Sequence, residues 1–446
     1  MKILIPTNIE TVIEKLEQGG FEAYIVGGCI RDLLLGNAPK DYDITTSALP
    51  EEIKRCLSGY NTIDTGIKHG TVTVVSEGEN VEVTTFRIDG EYSDHRHPES
   101  VCFSRKLSDD LSRRDFTINA MAYNHKTGLI DPFGGRKDLF LRRLCCVGDP
   151  AVRFEEDALR IMRVLRFASE LDMEIEETTA SAALRMRHLL KDVSQERLSK
   201  ELVRLLAGES PYRVLTRFSE VLAVIIPEIS PCVGFEQHSR YHAYDVWEHI
   251  AYAVENSFPD PDVRLALLFH DIGKPRCFTM DDEGRGHFIS HEKISAEIAE
   301  EALKRMKFPA NTIKRVEKLV RSHCITPSDD RKIVRRLLSK VGEEDIFLLA
   351  EVMKGDNRAK QSFCLERVQT IDSMKKRAEE IIAENQCFKL SNLAVSGNNM
   401  LALGLKGAEI GKALNFLLDA VISEKAENSR ESLIAYLKEN FSEKNS

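Results

Sequence analysis

The chain has 446 residues, 42% of them hydrophobic and 30% charged, with a formal net charge of −9. That length exceeds one ordinary core and favours several domains, while no apolar run approaches the roughly 20 residues that span a bilayer. MKILIP is too short an apolar stretch before its proline to read as a signal peptide, and the ten cysteines are scattered without a CxxC pair. A membrane protein and a disulfide scaffold are therefore excluded, and a cytoplasmic enzyme with reduced thiols is expected.

Residues 1–150 alternate helical and strand patterns. FEAYIV (21–26) predicts a strand that passes through Gly27 and Gly28 into the helical run CIRDLLL. The two glycines let backbone approach a phosphate, the helix start offers free N–H groups, and Arg31 adds charge. DYDITT (41–46) follows, with Asp41 and Asp43 two apart. In an extended segment both carboxylates point to one side and repel unless a cation lies between them. Hard ions such as Mg²⁺ prefer these oxygens together with substrate phosphates, and a two-metal arrangement can activate a hydroxyl and neutralise a leaving pyrophosphate. A DxD pair alone is more often a solvated turn; the phosphate cradle just upstream changes that reading.

TVTVV (71–75) and VEVTTF (81–86) alternate as β-branched strands, and Glu82 is a candidate third carboxylate, whereas His69 reads as structural. RRDFTINAMAYN (113–124) places Arg113 and Arg114 before an apolar, strand-like run, and Arg114 can clamp a triphosphate bidentately. From about residue 153 onward the pattern is helical. RFEEDALRIMRVLRFASEL and SQERLSKELVRLLAG repeat apolar positions at three and four residues, Gly208 closes the second, and Pro259, Pro261, Pro275 and Pro309 punctuate later helices. An α/β head followed by an all-α remainder suggests separate domains.

Seven blocks, in order GGCIRDLLLG, DYDITT, GIKHGTVTV, RRDFTINAMAY, DPFGGRKDL, RFEEDALRIMRVLRF and ERLSKEL, resemble the class II tRNA nucleotidyltransferase and bacterial poly(A) polymerase family. The resemblance implies an α+β fold. It comprises a polymerase-β-like head with a mixed sheet (1–150), a neck with a nucleotide-selecting helix and an RNA-binding part (151–240), an HD domain (241–360) and a tRNA-binding helical tail (361–446). It implies catalytic Mg²⁺ on Asp41 and Asp43, nucleotide contacts at Gly28, Arg31 and Arg114, and addition of C, C and A to tRNA from CTP and ATP. Asp157 and Arg160, three apart on one helix, are expected to read the base. Cytosine and adenine both offer an exocyclic amine beside a ring-nitrogen acceptor, which a carboxylate and a guanidinium complement. Uracil and guanine reverse that order, leaving buried groups unpaired at about 1–3 kcal/mol each. Arg163 and Arg166 continue the series, and the family carries nucleotide contacts at both.

LLFHDIGKP (267–275) resembles the HD phosphohydrolase signature, implying a second divalent metal held by His249, His270, Asp271 and Asp356. His287, His291 and His323 are candidates for extra ligands or substrate contacts. FRIDGEYSDHRHP (86–98) resembles the flexible loop of enzymes that complete the whole CCA, and LAVSGNNMLALGLKGAEIGKAL (393–414) resembles their tRNA-binding end. Lys304, Arg305, Lys307, Lys314, Arg315, Lys318, Arg321, Arg331, Lys332, Arg335 and Arg336 form a candidate phosphate-contacting face. The alternatives are a poly(A) polymerase, a partial CC- or A-adding enzyme, or an HD phosphohydrolase with an inactive head. The mixed-charge C-terminus weighs against the first, since bacterial poly(A) polymerases tend to end in a basic extension.

Overall fold

The computed structural model describes residues 3–90 and 101–441 and divides into two compact units, Met1–Pro227 and Glu228–Ser446. The first unit is built on a seven-stranded mixed sheet. Its strands are β1 (Ala23–Val26), β2 (Asp43–Thr46), β3 (Asn61–Gly66), β4 (Thr71–Ser76), β5 (Glu79–Thr85), β6 (Ala122–Asn124) and β7 (Gly128–Ile130). They lie in the order β3-β4-β5-β2-β1-β6-β7. β2 runs parallel to β5 and antiparallel to β1, so the short polar strand DITT is central. Thr45 and Thr46 are fully buried there because their hydroxyls find partners, Thr45 on Asp110 at 3.1 Å and Thr46 on the Glu22 carbonyl at 2.6 Å. The amphipathic helix Thr7–Gln18 buries Ile9, Val12, Ile13 and Leu16.

The 113–124 segment is less extended than its composition suggests. Thr117–Asn119 forms a 3-10 turn, and only Ala122–Asn124 joins the sheet. The later chain is not wholly helical either, since Arg143–Leu144 pairs with Glu174–Ile175, and Thr279–Met280 with Gly286–His287.

A larger departure lies in 153–167, expected as one helix. A helix Pro150–Glu156 ends at Asp157, whose backbone is extended (φ −139°, ψ 102°), and a new helix runs Leu159–Glu170. The Asp157 carboxylate accepts from the Leu159 amide at 3.1 Å, just ahead of the second helix. Helix Leu159–Glu170 packs on Gln195–Leu206. Gly208 is required there, because a Cβ would lie 2.2 Å from the Ser169 hydroxyl.

The second unit is helical around Pro261–Phe269, buried from Val263 through Phe269. Val246–Glu255, His291–Arg305, Ala310–Ser322 and Asp345–Arg358 pack nearby. Pro261 starts a helix and Pro309 caps one, as expected. The expected basic face is corrected by the fold. Lys304, Arg321 and Arg305 pair with Glu300, Glu317 and Glu228, Arg315 and Lys318 with Asp345, Arg331 with Glu384, Lys332 and Arg335 with Glu424, and Arg336 with Asp419. Acids on the same helices and from distant segments thus pair with nine of the eleven cations in a stretch that looks basic in sequence. Of the 86–98 loop, Arg87–Asp89 pairs with Val101–Phe103, and residues 91–98 lie outside the described residues. In the 393–414 segment, Gly404 and Gly407 adopt positive φ between helices Gly397–Ala402 and Ala408–Ile422.

Candidate functional site

In the first unit the sheet brings acidic side chains together. Asp43 opens β2 and pairs in parallel register with Glu82 on β5, so both side chains leave the same face. Asp41 stands two residues before the strand. Desolvation, then Asp41 and Glu82, raise the Asp43 carboxyl to about 6 against the opposing pull of Arg114. Three carboxylates gathered in this way, with the Asp43 proton affinity raised, form a donor set suited to a hard cation.

The expected phosphate cradle lies beside them. Gly27 ends β1 with φ +83°, a conformation L side chains rarely adopt, and a Cβ there would lie 3.0 Å from the Arg114 guanidinium. Gly28 begins the helix Gly28–Leu34, which carries Arg31. Arg31 donates to the Asn119 side-chain oxygen at 2.8 Å, and Asn119 donates to Asp115 at 3.1 Å. Asp115 in turn accepts from Arg163 at 2.9 Å. Burial opposes the Asp115 charge, but Arg163 and Asn119 bring its carboxyl down to about 2. Phe167 lies beneath this network, with the Arg31 and Arg163 guanidinium groups 5.1 and 5.5 Å from its ring centre.

Arg114 joins the carboxylates to a cleft of about 250 Å³ lined by Arg113, Arg114, Asp115, Asp157, Leu159, Arg160, Arg163 and Arg197. Its Nη2 donates to the fully buried Asp110 at 3.1 Å, and its buried Nε has no hydrogen-bond partner among the described residues. Asp110 also receives two bonds from Arg113, at 2.7 and 3.0 Å. Arg197 holds Asp157 at 3.2 Å. Arg160 donates to Glu156 at 2.6 Å and to the carbonyls of Arg153 and Arg113. Those three bonds leave the Nε–H and one Nη2–H of its five donors. Asp157 and Arg160 therefore share one cleft, but across a helix break rather than on one helix face.

Arg166 is the exception. It is 2% exposed, pairs with Glu201 at 3.1 Å, and stacks 4.0 Å over the Phe167 ring. The expected basic ladder thus ends at Arg163, and Arg166 belongs to the packing of helix Leu159–Glu170 on its neighbour. Asp110, Asp115 and Arg197 were missed in the sequence. Asp110 sits three and four residues before Arg113 and Arg114, the spacing of intrahelical ion pairs, which is the signal that could have found it.

In the second unit His249, His270, Asp271 and Asp356 are all buried, and one donor atom from each falls within 4.8 Å of the others. His249 Nδ1 faces the Ala359 carbonyl at 3.2 Å and His270 Nδ1 the Leu267 carbonyl at 2.7 Å. Those acceptors fix the rings with Nε2 turned inward, the orientation metal-binding histidines take. The two Nε2 atoms are 3.1 Å apart, and His249 Nε2 is 3.2 Å from both Asp271 and Asp356. With both Nδ1 atoms protonated, two nitrogen lone pairs would face each other there, an arrangement that a shared cation relieves. Burial opposes the charge on both carboxylates, but His270 and Lys274 hold Asp271, and Lys360 and the two histidines hold Asp356, well below the usual range. His287 is not grouped with these four; it stands 2.9 Å from Asp281. Among the described residues no helix is long and apolar enough to cross a membrane.

Comparison with known proteins matches residues 23–145 to the poly A polymerase head domain, 172–232 to a probable RNA and SrmB-binding site of polymerase A, and 240–391 to the HD domain. The CCA-adding enzyme of Lactobacillus helveticus is 34% identical over 96% of each chain. That of Geobacillus kaustophilus is 53% identical over 44% of this chain and 48% of its own, and the alignment with the Geobacillus stearothermophilus enzyme spans 62% of that relative. The solved structure of the Bacillus stearothermophilus CCA-adding enzyme in complex with CTP superposes with a TM-score of 0.74 at 29% identity over 98% of both chains. A Thermotoga maritima CCA-adding enzyme complexed with tRNA shares the fold at 20% identity and a TM-score of 0.56. Likeness over nearly the full length, with head, RNA-binding and HD segments in that order, shows that the chain belongs to the CCA-adding enzyme family of nucleotidyltransferases.

Proposed function

We propose that this chain adds C, C and A to the 3′ end of tRNA from CTP and ATP, without a nucleic-acid template and with release of pyrophosphate, in the cytoplasm. The observation that carries this reading is the continuity from the Asp41, Asp43 and Glu82 carboxylates, through Arg114, to the cleft holding Asp157 and Arg160. Asp41 and Asp43 would hold Mg²⁺, with Glu82 beside them. The ions, when bound, activate the attacking hydroxyl and neutralise charge on the leaving pyrophosphate.

The protein's own part is positioning and charge complementarity. The Gly27–Gly28 turn and Arg31 receive the phosphates, and the unpartnered Nε of Arg114 aims a donor at them. Asp157 accepts from the exocyclic amine of C or A, and a free N–H of Arg160 donates to the ring nitrogen. Arg197 and Glu156 hold this pair in place before the nucleotide arrives, so little ordering entropy is spent on binding. Arg163 closes the cleft from the Asp115 side. Arg166 supports the helix from within the core rather than touching the nucleotide. The domains proposed are a head over 1–150, a neck over 151–240, an HD domain over 241–360 and a tRNA-binding tail over 361–446. In the HD domain, His249, His270, Asp271 and Asp356 would hold a resident divalent metal, as in a phosphohydrolase.

Incubating tRNA that lacks its CCA end with CTP, with ATP and with both tests the reading. Two additions from CTP alone and three from the mixture are expected. A long A tail would instead mark a poly(A) polymerase, and a stop after two C or a lone A a partial enzyme.

A further inference from the structure

Helix Gly135–Phe140 turns one face into the head and the other to solvent. The inner face is fixed by Asp138, which accepts from the Thr117 hydroxyl at 2.7 Å and from Arg143 at 2.7 and 3.1 Å. A Cβ on Gly135 would lie 2.2 Å from the Thr117 carbonyl oxygen, so the helix rests directly on the Thr117–Asn119 turn. Asn119 is the residue that accepts from Arg31 of the phosphate cradle. The outer face is therefore built on the turn that holds the cradle.

That outer face is both basic and apolar. Arg136 and Lys137 are exposed, and among the described residues no acid lies within ion-pair distance of either side chain. Asp131, just ahead of the helix, accepts instead from the backbone amides of Gly135 and Arg136 at 2.7 and 2.9 Å. Phe140 follows Arg136 by four positions and Lys137 by three, the spacing that sets side chains on one helix face. Its ring is 87% exposed, and the adjoining Leu141 50%. Arg142, with 65% of its side chain exposed, reaches Asp172 and the Leu171 carbonyl only at 3.4–3.5 Å. The 304–336 stretch has most of its cations paired, whereas this shorter one keeps two open. An exposed apolar patch rimmed by charge marks an interaction surface, and open cations in a chain of formal net charge −9 select a polyanion.

We propose that the Arg136, Lys137 and Phe140 face binds the unpaired 3′ end of the RNA substrate, with phosphates on the two cations and one base stacked on the Phe140 ring. Single-stranded RNA supplies both halves of this match, since every nucleotide carries a phosphate and every base a π-face. A duplex stem would engage the cations but keep its bases stacked within the helix, away from Phe140. A second copy of this chain would cover Phe140 and Leu141 and leave the cations unpaired. The surface deepens the proposed tRNA reading and rests on it.

The test titrates full-length protein with labelled tRNA lacking its CCA end at several salt concentrations. For Arg136→Gln/Lys137→Gln the slope of log affinity against log salt is expected to flatten by about 1.4, two phosphate contacts at about 0.7 each. Phe140→Ala is expected to bind about tenfold more weakly with the slope of the parent, and Phe140→Trp to restore that loss. Steady-state assays should show the weakening as a raised KM for tRNA while the KM for CTP is kept, a split that general damage to the fold would not produce. A double variant with the parent's slope, or Phe140→Leu binding as well as the parent, would overturn the proposal. Self-association of the parent that disappears in Phe140→Ala, with RNA affinity unchanged, would assign the face to a second copy instead. A parent that binds no tRNA would overturn the proposed function itself, whereas tight binding by parent and variants alike would overturn only this surface.

Discussion

The two acidic centres of this chain solve the same electrostatic problem in opposite ways. In the head, burial and then the neighbouring Asp41 and Glu82, opposed by Arg114, push the Asp43 carboxyl up to about 6. In the HD unit, Asp271 and Asp356 are buried, yet each has a lysine ammonium against it, Lys274 at 2.6 Å and Lys360 at 2.5 Å, with two histidines alongside. On the proposed function, the head would leave this charge to hard ions that arrive and depart with a triphosphate. The HD unit balances its own charge and offers nitrogen ligands suited to a resident ion. On that reading, one centre would turn its cation over and the other would retain it.

The sharpest way to break this contrast is to remove the head carboxylates. Asp41→Ala/Asp43→Ala is expected to lower nucleotide addition by on the order of 10³-fold or more, since charge neutralisation supplies most of this chemistry. Any divalent metal held by the HD unit is expected to be retained. Residual addition near the parent rate would place catalysis elsewhere.

A smaller effect is expected at Asp110, which positions Arg113 and Arg114 without facing the cleft itself. Asp110→Asn should reduce kcat/KM by about 10²-fold, the scale of an ångström-sized misplacement. Steady-state kinetics should show both a raised KM for CTP and a lowered kcat, and an unchanged KM would argue that Arg114 is held by other means.

The smallest effect concerns stability. Asp115 has a folded pKa of about 2, below an ordinary carboxylate at about 3.9. Its contribution is fully present above about pH 4, on the order of 2 kcal/mol, and is lost as pH falls toward 2. Thermal melts of parent and Asp115→Asn should differ by several degrees at pH 6 and converge across that acid window. A gap that persists at pH 2 would show that ionisation of Asp115 is not its source.

Much of this was legible in the sequence because strand patterning and turn chemistry are local. FEAYIV, TVTVV and VEVTTF became strands, and the parallel register sets Glu82 beside Asp43. What stayed hidden depends on residues far apart in the chain. Arg197 meets Asp157 across 40 positions, and Glu424 neutralises Arg335 across 89. Helical periodicity overran the break at Asp157, although an Asp directly before an apolar helical run is a recognised start signal. Arg166 had the same three-residue spacing as Arg160 and Arg163, yet a 100° step per residue turns it from the cleft toward Glu201 in the core.

The central claim is that protein side chains, not a nucleic-acid strand, choose C and A. Its most direct test is single-nucleotide incorporation by the parent and by Asp157→Ala, with each of the four nucleoside triphosphates offered in turn. The parent should exclude UTP and GTP, and the variant should lose about 10- to 100-fold of that preference, the worth of one or two unpaired polar groups. Equal selectivity in both proteins, or ready use of UTP by the parent, would contradict the account.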